Sequence, residues 1–163
     1  MRVRRPLTLL LIVAALAAVA VSCGDDEDTA GALESGDRTI YMAAIEPKGS
    51  AKAAEEPFPS DALPAGGGYK LEEPGETGEW VVETYRWLPG TVTVVEGDHV
   101  TLEILGVNGK SHASTIEGYG VDFEVKRGEL TTVEFDADKP GIFRLVCNTH
   151  KPAMTASLVV LPA

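Results

Sequence analysis

Residues 147–154 read Cys-Asn-Thr-His-Lys-Pro-Ala-Met, so a thiol, an imidazole and a thioether fall within eight positions. A second imidazole, His112, stands upstream in Lys110-Ser111-His112-Ala113. Taken singly these residues are bland. Cys147 reads as a small buried hydrophobe, His150 as a loop histidine and Met154 as a core gap-filler. Taken together, between two β-type runs, they form a donor set. Two His and one Cys in a trigonal plane with a weak axial Met suit a blue-copper centre. The soft thiolate and thioether hold Cu(I), and the imidazoles also suit Cu(II). Zinc is the competing metal, because one Cys, two His and an open position would serve a catalytic zinc site. Met is a poor zinc ligand, and no carboxylate or further His stands nearby as an obvious general base.

Residues 79–161 resemble a cupredoxin domain. The closing loop, Cys147-x2-His150-x3-Met154, is similar to the ligand loops of plastocyanins and amicyanins, with a length between the two. The run Ser111-His112-Ala113-Ser114-Thr115-Ile116-Glu117-Gly118-Tyr119-Gly120-Val121 resembles the first-ligand segment of the cytochrome c oxidase subunit II copper domain and of nitrosocyanin. The resemblance implies an all-β, Greek-key sandwich or barrel. It implies His112, Cys147, His150 and Met154 as ligands of one mononuclear type 1 copper ion. A binuclear site needs two Cys in the loop, and this loop has one. Nitrosocyanins place a carboxylate at the position of His112 and lack the Met, so red-copper chemistry is not expected.

The same resemblance implies one-electron transfer by Cu(II)/Cu(I) cycling rather than an enzymatic reaction. Electrons would pass through His150 at the solvent edge, beside Pro152 and Ala153, with Lys151 placed to steer an acidic partner. The partner classes implied are c-type cytochromes, terminal oxidases and nitrogen-oxide reductases, and a monomer is expected. Two other uses fit the same residues: a copper-binding lipoprotein that stores or delivers copper for oxidase assembly, or an electron-entry module of a larger complex. One position departs from the family pattern. Many blue-copper proteins carry Asn or Ser directly after the first His, whereas Ala113 stands here. Ser111, Ser114 and Thr149 are the candidate replacement donors. His99, Glu103 and Glu117 are expected at the surface, away from any metal.

The elements that must position this set lie in a chain of 163 residues with a formal net charge of −11. Residues 1–5 hold three Arg, and residues 7–21 are an apolar run too short for a membrane span. Residues 1–22 therefore read as a signal peptide. The run ends in Ala20-Val21-Ser22-Cys23, which resembles a bacterial lipobox, so Cys23 is the expected lipidation site. Residues 23–37 read as an acidic tether. The chain would then be exported and held at the outer face of the cytoplasmic membrane by lipid alone. From Cys23 onward there are 25 acidic and 11 basic residues, a balance of −14, which argues against nucleic acid as a partner. Cys147 would be the one free thiol, and metal ligation gives an exported thiol a reason to persist. A Cys23–Cys147 disulfide is a weaker alternative.

The domain itself is expected over residues 38–163. Strands are expected near 39–46, 79–87, 91–95, 99–105, 112–117, 121–125, 130–136, 141–147 and 155–161, separated by turn signals at the spacing of a sandwich or barrel. Residues 47–78 hold five Pro and six Gly and read as one long loop. Leu130, Val133, Phe135, Phe143, Leu145, Val146, Leu158, Val159 and Val160 are the expected core. Phe143, Leu145 and Cys147 share one parity and Arg144 takes the other, which points Cys147 inward from a strand end.

Overall fold

The computed structural model describes residues 33–163. The signal segment 1–22, the lipidation site Cys23 and tether residues 23–32 lie outside the described residues. Twelve strands and no helix make up the described chain. Two sheets face each other. One has the order β10-β7-β1-β5, built from β1 (Asp37–Ile45), β5 (Arg86–Leu88), β7 (His99–Gly106) and β10 (Leu130–Asp136). The other has the order β6-β12-β11-β8-β9, built from β6 (Thr91–Val95), β8 (Ser111–Ile116), β9 (Val121–Lys126), β11 (Gly141–Cys147) and β12 (Thr155–Leu161). Parallel pairing occurs at β1–β7 and β6–β12, and the remaining pairs in the two sheets are antiparallel.

Alternation explains the layer between the sheets. In β7, Val100, Leu102 and Ile104 are buried while His99 and Leu105 are exposed. In β12, Ala156, Leu158 and Val160 are buried against them. Each full burial of such a side chain stabilises by about 2 kcal/mol. The expected core holds at Val133, Phe135, Leu145, Leu158 and Val160, with Phe143 packed at its edge. It fails at Leu130, which is 58 % exposed, because its parity in β10 is that of Thr132 and Glu134 rather than of Val133 and Phe135. Val159 takes the outward parity of β12 and is half-buried. Val146 also points outward yet is buried. It lines a cavity of about 390 Å³ with Ala65, Gly66, Pro152 and Thr155, so other chain covers the back of β11.

That cover comes from the segment read as a loop. Residues 47–78 contain β2 (Lys48–Lys52) and β3 (Tyr69–Glu72), which flank β4 (Glu79–Thr84) in a separate antiparallel sheet of order β2-β4-β3. This flap has its own small cluster. Trp80 is buried edge-on to Phe58 at 5.9 Å, and its indole N–H donates to the Glu56 carbonyl at 2.9 Å. The strand expected over 79–87 is accordingly two strands in two sheets, parted at Tyr85. The chain's entry also differs from the expected boundary at 38. Strand β1 begins at Asp37, and the Gly36 N–H donates to Asp98 at 2.8 Å.

Candidate metal centre

His112 is the second residue of β8 and Cys147 the last of β11, and the two strands pair with Cys147 opposite Ser114. Both side chains point into the core and are fully buried. After Cys147 the chain turns tightly. The His150 N–H donates to the Cys147 carbonyl, the Met154 N–H to the His150 carbonyl, and the Cys147 N–H to the Met154 carbonyl, at 2.9–3.2 Å. These bonds close the loop on itself. They return His150 beside Cys147 and seat Met154, fully buried, in the same core cluster.

Among the described residues, His112, Cys147 and His150 form the one group of three His, Cys, Asp or Glu side chains whose donor atoms lie within 4.8 Å of one another. Cys147 Sγ is 3.9 Å from His112 Nδ1 and 3.4 Å from His150 Nδ1, and the two Nδ1 atoms are 3.2 Å apart. A triangle with those sides has its centre about 2.0 Å from each corner, close to the roughly 2.0–2.3 Å of metal–imidazole and metal–thiolate bonds. Two nitrogens and a sulfur around one such point fit a transition metal.

The tautomer of His112 is set by its surroundings. Its Nε2 lies 2.8 Å from the Asn108 carbonyl oxygen. A carbonyl only accepts, so Nε2 carries the proton and Nδ1 presents its lone pair to the triangle. Asn108 is itself anchored, its side-chain oxygen accepting from the Glu46 N–H at 3.1 Å. Gly109 completes the turn at φ +76°, and a Cβ there would sit 2.8 Å from His112 Cε1. The Asn-Gly pair is visible in the sequence as a turn; the role of its carbonyl is not. Burial, and then the neighbouring His112, hold the His150 imidazole below its ordinary pKa against the opposing pull of Glu46, so it is a neutral donor at neutral pH.

The aromatic shell was not anticipated. Tyr85 stacks on His150 at 3.9 Å and 15° and meets His112 edge-on at 5.5 Å. Trp87, buried, meets His112 edge-on at 6.2 Å. The flap also reaches the loop through its backbone. The Gly67 N–H donates to the Lys151 carbonyl at 2.7 Å, and Gly67 bridges to Pro152. Gly68 has φ +83°, and a Cβ there would lie 2.0 Å from the His150 carbonyl oxygen. Gly68→Ala is therefore expected to push the flap off the ligand loop. A loss of about 2 kcal/mol or more in chemical denaturation checks this.

The link between strand and loop departs from the expected donors. Ser114 Oγ donates to the His112 carbonyl at 3.1 Å. The cross-link falls instead to Asn148, whose N–H donates to the Ala113 carbonyl at 2.8 Å and whose side-chain amide donates to Thr115 Oγ1 at 3.0 Å. Ala113 thus contributes through its backbone. His99 is exposed and bonds Asp136 at 2.7 Å, which raises its pKa, and Glu117 pairs with Arg144 at 2.7 Å. Neither these residues nor Glu103 join the metal group.

No family model matches the chain. Over 77 % of its length it superposes on a multicopper oxidase with a TM-score of 0.50 and 19 % identity, covering 39 % of that protein. The chain has a cupredoxin fold. This cupredoxin domain is also similar to the periplasmic domain of cytochrome oxidase subunit II from Bradyrhizobium japonicum, with a TM-score of 0.38 and 21 % identity over 44 % of the chain and 54 % of that domain. In sequence it is 27 % identical over 66 residues to cytochrome c oxidase subunit 2 of Thermus thermophilus, covering 40 % of this chain. The match spans about half the length of that relative, 48 %, and 39 % of a second Thermus thermophilus subunit 2. The all-β cupredoxin expectation therefore holds, with the flap sheet standing beside the two facing sheets.

Proposed function

We propose that this chain is an exported mononuclear blue-copper protein that passes single electrons and catalyses no reaction of its own. His112 and His150, each through Nδ1, and Cys147 through Sγ would hold the ion, with the buried Met154 thioether as a weaker donor. The observation that carries this reading is the convergence of three donors on one point, with the His112 lone pair already aimed there. Copper, when bound, supplies a Cu(II)/Cu(I) couple. The chain's part is to keep its donors in one arrangement for both charge states. The Asn108 carbonyl fixes one imidazole, Tyr85 covers the other, and the sheet interior buries the thiolate and the thioether. Electrons would reach the ion by way of the half-buried His150.

Cys23 would anchor the protein by lipid to the outer face of the membrane. A single-copper shuttle of this kind works as a monomer, and its partner would be a redox protein. The likeness to cytochrome oxidase subunit 2 favours a terminal oxidase over a c-type cytochrome or a nitrogen-oxide reductase. A store or carrier of copper would use the same donors but release the ion readily. Voltammetry separates the two. A reversible one-electron wave, with copper retained through repeated cycles, supports the shuttle; transfer of copper to a Cu(I) chelator on reduction contradicts it.

Lys151 is exposed at the tip of the ligand loop. Lys151→Glu is expected to slow transfer to an acidic partner by up to about tenfold at low ionic strength, and the difference should vanish in high salt. Rates measured by stopped flow across a salt series check this. Equal, salt-independent rates would remove Lys151 from the docking surface.

A further inference from the structure

Tyr85 is the single residue between β4 and β5, where the flap sheet passes into the sandwich. Its N–H donates to the Gly68 carbonyl at 2.6 Å, so the residue extends the β3–β4 ladder by one rung. Its ring lies flat on the His150 ring, 15° from parallel. Gly67 and Gly68 press on the backbone of the same loop residues, with no room for a side chain at Gly68. The imidazole is thus covered on one face by a phenol, and the loop main chain that carries it is backed by glycine. The outer side of Tyr85 lines a cleft of about 270 Å³ with Glu46, Gly68, Tyr69, Lys70 and Glu83.

From this geometry we propose that Tyr85 is a positioning residue which, with Gly67 and Gly68, caps His150 and closes that side of the donor triangle to external ligands. The cap's consequence for copper rests on the blue-copper reading above; the cap itself does not. A ring stacked on His150 leaves the imidazole one orientation and blocks a small anion from approaching across its face. The hydroxyl is not required for either effect, whereas the flat ring is.

Two measurements on the full-length protein test this. In the metal-free chain, modification by diethyl pyrocarbonate is mapped by mass spectrometry, with exposed His99 as the internal reference. His150 is expected to react about fivefold faster or more in Tyr85→Ala than in the wild type, and within about twofold of wild type in Tyr85→Phe. In the copper-loaded chain, millimolar azide is expected to change the visible spectrum of Tyr85→Ala but not of the wild type or Tyr85→Phe. Tyr85→Leu keeps bulk without a flat ring and reads the same way if alanine detaches the flap. Equal His150 reactivity in wild type, Tyr85→Ala and Tyr85→Leu overturns the cap, as does a Tyr85→Phe as open as Tyr85→Ala. A wild type without a thiolate band on copper would remove the blue-copper reading, and the metal-free arm would still decide the cap.

Discussion

Replacing Cys147 with Ser is expected to abolish the intense visible band of the copper-loaded protein and to weaken Cu(I) binding by more than about 100-fold. Loss of a residue that merely supports a ligand costs about 10–100-fold, and Cys147 is proposed as a ligand itself. The Cys147 sulfur is the one soft donor in the triangle, lying 3.4 and 3.9 Å from the two Nδ1 atoms. A hydroxyl of nearly equal size keeps the packing but gives no low-energy charge transfer. The metal-free fold should lose only about 1 kcal/mol, because the new hydroxyl is buried beside the His150 Nδ1, which can accept from it. Absorption spectra with a Cu(I) competition titration measure the first effect, and denaturant unfolding of the metal-free chain the second. A Ser variant that stays intensely coloured would exclude Cys147 as the ligand.

Asp98 is the corresponding point of leverage on stability. It is fully buried at the β6–β7 turn. Its carboxylate accepts from the Val95 N–H at 2.7 Å and the Gly36 N–H at 2.8 Å, and it pairs with Arg38. Burial acts to raise its pKa; the two backbone donors and the Arg38 guanidinium outweigh that and hold it below the usual carboxylate value. Asp98→Ala leaves two N–H groups and a guanidinium without their acceptor. A loss of about 3 kcal/mol follows, or about 10 °C in Tm. The pH dependence has a definite sign. A carboxylate whose folded pKa is depressed stabilises fully above its unfolded value near pH 4 and loses that contribution as pH falls through the folded value. The gap between wild type and Asp98→Ala should therefore be constant at neutral pH and narrow below about pH 4. The eight residues of β7, at about 3.4 Å each, separate Asp98 from the Asn108 turn by roughly 25 Å. The copper spectrum of the variant is accordingly expected to be unchanged, which separates fold from site.

The contrast between these two residues shows what the sequence carries. The approach of His150 to Cys147 was legible because their spacing is local, and the parity of Phe143, Leu145 and Cys147 declares the inner face of β11. His112 was legible from the run that follows it. Asp98 sits in a Glu-Gly-Asp turn that gives no sign of its role, since two of its donors, Gly36 and Arg38, lie about 60 positions away. The flap stayed hidden for a similar reason. Lys-Gly-Ser-Ala-Lys has little apolar alternation, Tyr-Lys-Leu-Glu alternates over only four residues, and both pair with β4. Tyr85 and Asn108 act through a ring face and a main-chain carbonyl, which no residue pattern announces. Leu130 misled because hydrophobicity was weighed without its parity in β10.

The proposed function requires one copper ion among His112, Cys147 and His150, bonded through the Cys147 sulfur. The most direct test adds one equivalent of Cu(II) to the metal-free protein and records visible absorption and electron paramagnetic resonance together. An intense blue or green thiolate-to-copper band with a narrow copper hyperfine splitting, saturating at one ion per chain, is the predicted result. A pale solution with the wide splitting of ordinary tetragonal copper would contradict it, since Cys147 would then not be bound and electron transfer through this site would have to be abandoned.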